Sequence, residues 1–200
     1  SGIDHRVLTT TQLAFNVAPR LNAAGRLEDM SLGVACLLAT PEAAQASAAR
    51  LDELNRTRRE IEQSMQAQAA ELLLAVGRAP DSARFGISLF DSRWHEGVVG
   101  ILASRVRAQC ARPVFAFAEA SNGLLKGSGR SIEGLQLRDL LAEMDAARQG
   151  LLQKFGGHAM AAGVTIRQED FSEFATLFDL HAKAHLSGRD LNERIVSEGL

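Results

Sequence analysis

Cysteine is scarce in this 200-residue chain, and the two present, Cys36 and Cys110, are too few and too far apart to suggest a disulfide framework or a zinc site. A reducing cytoplasm suits them best. Lysine is scarce too, three against nineteen arginines. That bias fits bidentate phosphate binding and fits a GC-rich coding sequence equally well. No run reaches the roughly 18 apolar residues of a membrane span, and the N-terminus lacks the charged-then-apolar pattern of a signal peptide. Charge of one sign is not in excess either. A net charge of −2 excludes the globally basic signature of a non-specific nucleic-acid coat, so any nucleic-acid contact must be local. Neither a P-loop, a G-x-S-x-G elbow nor an H-E-x-x-H helix occurs.

What is present is enough for a core: 46% hydrophobic and 23% charged residues argue for a folded body and against disorder. TTTQLAFNVA (9–18) opens with threonines that can cap a short helix. APRLNAAGRLEDMS then breaks periodicity at Pro19 and Gly25 and reads as a loop between helices. SLGVACLLAT, from Ser31, reads as a short apolar helix ending before Pro41. From 41 to 78 the near absence of Gly and Pro, with Leu51, Leu54, Ile61, Met65, Leu72 and Val76 near helical spacing, predicts one long connecting helix.

After GRAPDSAR the pattern changes. FGISLF and PVFAFA are short β-rich runs, and VVGILASRVRAQC between them reads as an amphipathic helix, giving a strand, helix, strand unit. GLLKGSGRS is a third candidate strand, LQLRDLLAEM a helix, HAMAAGVTI a fourth strand and FSEFATLFDLHAKAHL a closing helix. Residues 82–186 thus form an α/β domain with a mixed sheet flanked by helices, residues 1–40 a preceding helical region, and 187–200, with RIVSEG, a linker or the start of another element.

Metal chemistry needs clustered ligands, and the candidates are thin. Asp4-His5-Arg6 has no second carboxylate nearby and reads most simply as a solvated terminus. His181 and His185 stand at i, i+4 with no neighbouring Glu or Cys in sequence to complete a set, so they read as solvent-facing. Binding chemistry is better represented. Lys126-Gly127-Ser128-Gly129-Arg130-Ser131 could bring backbone N–H groups, a hydroxyl and a guanidinium onto one phosphate, or could be a glycine-bearing strand end with an exposed Arg. Trp94-His95-Glu96-Gly97 precedes a helix whose N-terminus could receive an anion, although a capped turn over a packed Trp is the simpler reading. Arg20, Asn22 and Arg26 offer a polar cluster, or a turn pinned by its own hydrogen bonds. Arg56, Arg58 and Arg59 read as a solvated helix face. In LLQKFGGHAMAAG, Gly156 and Gly157 beside His158 give the freedom that either a turn or a close-approaching ligand needs.

Taken together, APRLNAAGRLEDMS, WHEGVVGILASR, KGSGRSIEG and KFGGHAMAAG stand in an order that closely resembles the RecJ-like single-strand exonucleases of the DHH phosphoesterase family, from about Thr11 to Phe178. The glycine-glycine-histidine element alone is weakly specific, since other DHH-associated domains carry one. Its combination with the NAAGR loop is strong. The resemblance implies a DHH-associated domain that forms the substrate-binding part of a 5′-to-3′ exonuclease in DNA repair and recombination. Catalytic manganese or magnesium would sit in a separate DHH domain preceding this chain, so the chain alone would be inactive. An oligonucleotide-binding barrel would follow from around Arg194. The resemblance also implies that Arg26, Ser128 and Arg130 hold phosphates of the strand and its 5′ end, with Arg20, Asn22, His95, Gly156 and Gly157 as further substrate contacts. His158 would be the catalytic histidine facing the scissile region. Its implied partners are single-stranded DNA, a single-strand-binding protein and a helicase. Two alternatives are a non-catalytic nucleic-acid-binding module and an oligoribonuclease or dinucleotide phosphodiesterase of the same family.

Overall fold

The computed structural model describes residues 8–77 and 84–187. Asp4-His5-Arg6, most of GRAPDSAR and the closing RIVSEG lie outside them. The chain divides into two compact units, Ser1–Ser64 and Met65–Leu200.

In the first unit Thr9 starts α1 (Thr10–Gln12) with a capping box: its hydroxyl accepts from the Gln12 N–H at 3.2 Å, and the Gln12 side chain accepts from the Thr9 N–H at 2.9 Å. The chain widens into a π turn over Leu13–Val17 before α2 (Ala18–Leu27). Pro19 has no N–H to return to the Phe15 carbonyl, so the wider turn forms where the ordinary ladder is already interrupted. The segment expected to be a loop is therefore helical. Pro19 falls in the first turn of α2, where a missing donor costs nothing, and Gly25 sits where a Cβ would stand 3.2 Å from the Met30 sulfur. Helix α3 (Ser31–Leu38) follows, and α4 (Pro41–Gly77) contributes residues to both units. With 37 residues, α4 extends about 55 Å at 1.5 Å per residue. Ala23 and Ala24 are fully buried against Leu51 and Leu54, their small side chains allowing close approach, and Arg20 Nε donates to Asp52 Oδ1 at 2.6 Å to tie α2 to α4.

The second unit carries a five-stranded sheet in the order β1-β2-β3-β5-β4. The strands are β1 (Ile87–Phe90), β2 (Val114–Glu119), β3 (Leu124–Arg130), β4 (Lys154–Gly157) and β5 (Ala161–Arg167). β1 and β2 are parallel, joined through α5 (Val99–Cys110), and the other pairs are antiparallel, so the sheet is mixed. Sequence reading expected four strands. β4, with the sequence KFGG, has no β-branched residue to signal it. α6 (Leu137–Ala147) and α7 (Phe171–Leu186) pack on the face that carries Phe115 and Phe117. There Phe115 meets Phe174 and Phe178 edge-on at 5.4 and 5.0 Å, and Phe117 meets Phe171 and Phe174 at 5.5 and 5.0 Å.

Candidate nucleic-acid interface

The alternation of KGSGR is resolved by the two faces of β3. Gly127 and Gly129 point into the aromatic core, where an added Cβ would lie 2.4 Å from the Phe117 ring and 2.5 Å from the Phe115 ring. Their backbone is not available to a phosphate, because β3 is paired with β2 on one side and β5 on the other. The convergence of backbone N–H groups considered for this stretch therefore does not occur. Only alternate side chains, Lys126, Ser128 and Arg130, reach the opposite face.

That opposite face is covered by α5 over β2 and β3. Gly100 of α5 makes the close fit possible: a Cβ there would stand 3.2 Å from Arg130 Nη2 and 3.5 Å from Ser128 Oγ. Arg130 Nε donates to Ser104 Oγ at 3.1 Å and its Nη1 to the Gly129 carbonyl at 2.8 Å, so the half-buried guanidinium is held in one orientation. The WHEGVVG and KGSGR stretches thus come together in space.

Beyond β3 the face opens. Ser128 pairs with Gly163 of β5, which pairs with Gly156 of β4, so the three share one row. Nothing lies within 4 Å of a Cβ built on Gly156, and at Gly163 only the Gly127 carbonyl oxygen does, at 3.9 Å. Both are exposed. Glycine inside a strand costs about 0.5–1 kcal/mol relative to alanine, and here no packing requires it. Gly157 is the opposite case. Its φ is +144°, and a Cβ would meet the Ala161 carbonyl oxygen at 2.4 Å and Ala162 Cα at 2.5 Å. Gly157 is a demand of the β4–β5 hairpin, whereas Gly156 and Gly163 leave main chain bare toward solvent.

His158 follows at the hairpin tip. It is exposed and its N–H donates to the Ala161 carbonyl at 2.8 Å, which places it outside the hydrophobic core. The tip is anchored by Ser131 N to Met160 O and Leu137 N to Ala159 O, both 2.9 Å. Ser131 itself is buried, its hydroxyl donating to the Leu135 carbonyl at 2.6 Å.

Other sequence candidates occupy more local roles. Trp94 is buried with Nε1 donating to Gln68 Oε1 at 2.9 Å, and His95 Nδ1 accepts the Gly97 N–H at 3.0 Å, so a neutral ring carries its proton on Nε2. This is a capped turn. On α2 of the first unit, Asn22 and Arg26 are exposed one turn apart, on the face away from Ala23 and Ala24. Arg20 is engaged with Asp52 and with the Asn16 carbonyl. Arg58, expected on a solvated face, is instead partly buried, bonded to Glu62 at 2.5 Å and to Asn55 at 3.1 Å. His181 and His185 do have a carboxylate between them: Glu143 of α6 lies 3.5 Å from His181 Nδ1 and 2.9 Å from His185 Nε2. The bond from His185 holds the Glu143 carboxyl below its ordinary range. Among the described residues no group of three or more His, Cys, Asp or Glu is arranged to hold a metal ion.

Residues 82–184 match the DHHA1 domain. The chain is 47% identical over 197 residues to the single-stranded-DNA-specific exonuclease RecJ of Escherichia coli, covering 98% of this chain and 34% of that protein. To the protein of the same name from Thermus thermophilus it is 34% identical over 173 residues, covering 86% and 23%. Among solved structures it is similar to Thermus thermophilus RecJ in complex with Mn2+, with a TM-score of 0.73, 33% identity, and coverage of 87% of this chain and 24% of that one. An exonuclease RecJ bound to manganese gives a TM-score of 0.72 at 32% identity, covering 92% and 44%. The chain spans about a third of the length of the first of these curated relatives.

Proposed function

The chain belongs to the DHHA1 domain family and is related to the RecJ exonucleases over nearly its whole length, and from that premise we propose that it is the substrate-binding wall of a single-stranded-DNA-specific 5′-to-3′ exonuclease. One observation carries the proposal: Gly156 and Gly163 are bare on an open sheet face where the fold would tolerate side chains, in the same row as Ser128 and one row from Arg130. Bare main chain lets a second backbone approach closely. A serine hydroxyl and an oriented guanidinium at one end of that floor offer a hydroxyl donor and a planar fork suited to a terminal phosphate.

In this reading Arg130 and Ser128 hold the 5′ end, the glycine floor carries the following sugar-phosphate, and exposed His158 stands beside it as the residue facing the scissile bond. Within the first unit, Asn22 and Arg26, exposed together on α2, are assigned separately as phosphate contacts. In this reading the chain's work is binding, orienting and screening, and hydrolysis belongs to the complete enzyme. Manganese or magnesium, when bound in the complete enzyme, activates the attacking water. Action in DNA repair and recombination, in the cytoplasm, with a single-strand-binding protein and a helicase, follows from the same reading.

Titration of the 200-residue chain with a 5′-phosphorylated single strand, the same strand without phosphate, and the corresponding duplex tests it. The phosphorylated single strand should bind most tightly and duplex least. Equal affinity for all three would leave only general electrostatics.

A further inference from the structure

Two of the three lysines in this chain fall on one row of the open face. Lys126 of β3 pairs with Thr165 of β5, which pairs with Lys154 of β4. Directly paired residues point to the same side of a sheet, so both ammonium groups rise from the face that carries Ser128, Gly163 and Gly156. Both lysines are exposed. Their row lies two residues farther along the strands, about 7 Å at the antiparallel rise of 3.4 Å per residue. Arg167 continues the face in the next row, opposite Leu124. A chain whose net charge is −2 thus gathers cations on one side of one sheet. The acidic groups facing them are Glu96, whose carboxylate is 2.7 Å from Lys126 Nζ, and Glu169, 3.8 Å from Arg167.

We propose that Lys126, Thr165 and Lys154 form a second phosphate subsite, which takes the backbone of the same single strand farther from its 5′ end. This rests on the function proposed above and adds to it a sequence-independent grip with a length threshold. Strands too short to reach from the Ser128 row to the lysine row gain nothing from it. Lysine suits the task, because a point charge on a flexible stem follows a moving backbone where a planar fork would fix it. Glu96 holds Lys126 when no strand is bound and gives way to phosphate when one is.

The test is fluorescence anisotropy of the 200-residue chain with a 5′-phosphorylated oligothymidylate of ten nucleotides, at several salt concentrations, with thymidine 5′-monophosphate as the one-nucleotide competitor. Replacing Lys126→Ala and Lys154→Ala together should weaken the ten-mer about tenfold and flatten its log–log salt slope by roughly 0.7 for each lysine, with the mononucleotide, whose single phosphate occupies only the Ser128 row, unchanged. Lys126→Arg with Lys154→Arg should restore binding, and Glu96→Gln should tighten the ten-mer. Arg130→Ala should weaken both lengths. If the double alanine variant leaves the ten-mer and its slope unaltered, or weakens both lengths equally, the second subsite is refuted while the end-binding reading stands. If Arg130→Ala changes neither length, or the chain binds neither, the end-binding reading fails and the subsite falls with it.

Discussion

Gly156 and Gly157 are neighbours in sequence, and the structure assigns them opposite reasons for being glycine. At Gly157 a Cβ would lie 2.4 Å from one backbone atom and 2.5 Å from another, at a φ of +144° that side chains rarely adopt. Neither atom can rotate aside. Gly157→Ala should therefore cost at least about 3 kcal/mol, combining backbone strain with overpacking. For a unit of this size that is a fall in melting temperature of roughly 10 °C or more. At Gly156 a Cβ meets nothing within 4 Å and the backbone is ordinary strand. Gly156→Val should then stabilise, by up to about 1 kcal/mol, since it replaces the poorest strand former with one of the best. Binding should move the other way. Three added carbons on the floor would hold a strand off the sheet, at a cost on the order of 1.5–3 kcal/mol, which is roughly ten- to a hundredfold in Kd. Scanning calorimetry and anisotropy with a 5′-phosphorylated single strand read the two effects separately. An unchanged affinity for Gly156→Val would refute the glycine floor, and a Gly157→Ala protein as stable as wild type would refute the hairpin geometry.

Arg130→Ala should lose about 1.5–3 kcal/mol of binding to a 5′-phosphorylated strand, and Arg130→Lys should recover only part, since a point charge does not replace the fork oriented by Ser104; equal affinities for the three proteins would remove Arg130 from the site. His158→Ala should change stability by less than about 0.5 kcal/mol, because the residue is exposed, yet lower turnover of the complete enzyme on the order of 10- to 1000-fold; a large fall in melting temperature with proportionate loss of activity would make it structural. The hydrogen bond from Arg20 holds the Asp52 carboxyl below its ordinary range. A lowered carboxylate stabilises above its unfolded pKa, near about 3.9, and that stabilisation is lost as pH falls through the lowered folded value. Asp52→Asn should therefore lower the unfolding free energy at pH 7, by less than about 1 kcal/mol for so exposed a pair, and the gap to wild type should close on acidification below about pH 4; a gap that is constant with pH would exclude the ion pair as its cause. The highly purified chain should release no nucleotides with manganese or magnesium; metal-dependent release would show a donor set among residues other than those described.

Much of the α/β order was legible because it rests on long, regular signals: the unbroken α4, the amphipathic α5 between two β-rich runs, and α7 with its regularly spaced phenylalanines. Short elements were harder. APRLNAAGR reads as a loop from its Pro and Gly, but Pro19 in a first turn and Gly25 against Met30 are both compatible with a helix. β4 went unseen because four residues ending in two glycines carry no strand signal until β5 pairs with them. The candidate site was legible as a set of residues and not as a surface. Gly127, Gly129, Gly156, Gly157 and Gly163 look alike in sequence, yet two seat phenylalanine rings, one turns a hairpin, and two are bare. Only strand pairing separates them. Glu143 between His181 and His185 was missed for the same reason, since it arrives from another helix.

The central claim is that a single strand lies on the sheet face opposite α6 and α7, and backbone amide spectra of the isotopically labelled chain titrated with a 5′-phosphorylated oligonucleotide test it most directly. Saturable shifts at Gly156, Gly163, Ser128, Arg130 and His158, with Phe174, Phe178 and the rest of α7 unmoved, are the predicted result. Shifts confined to α6 and α7, or shifts at the sheet face that never saturate, would contradict it.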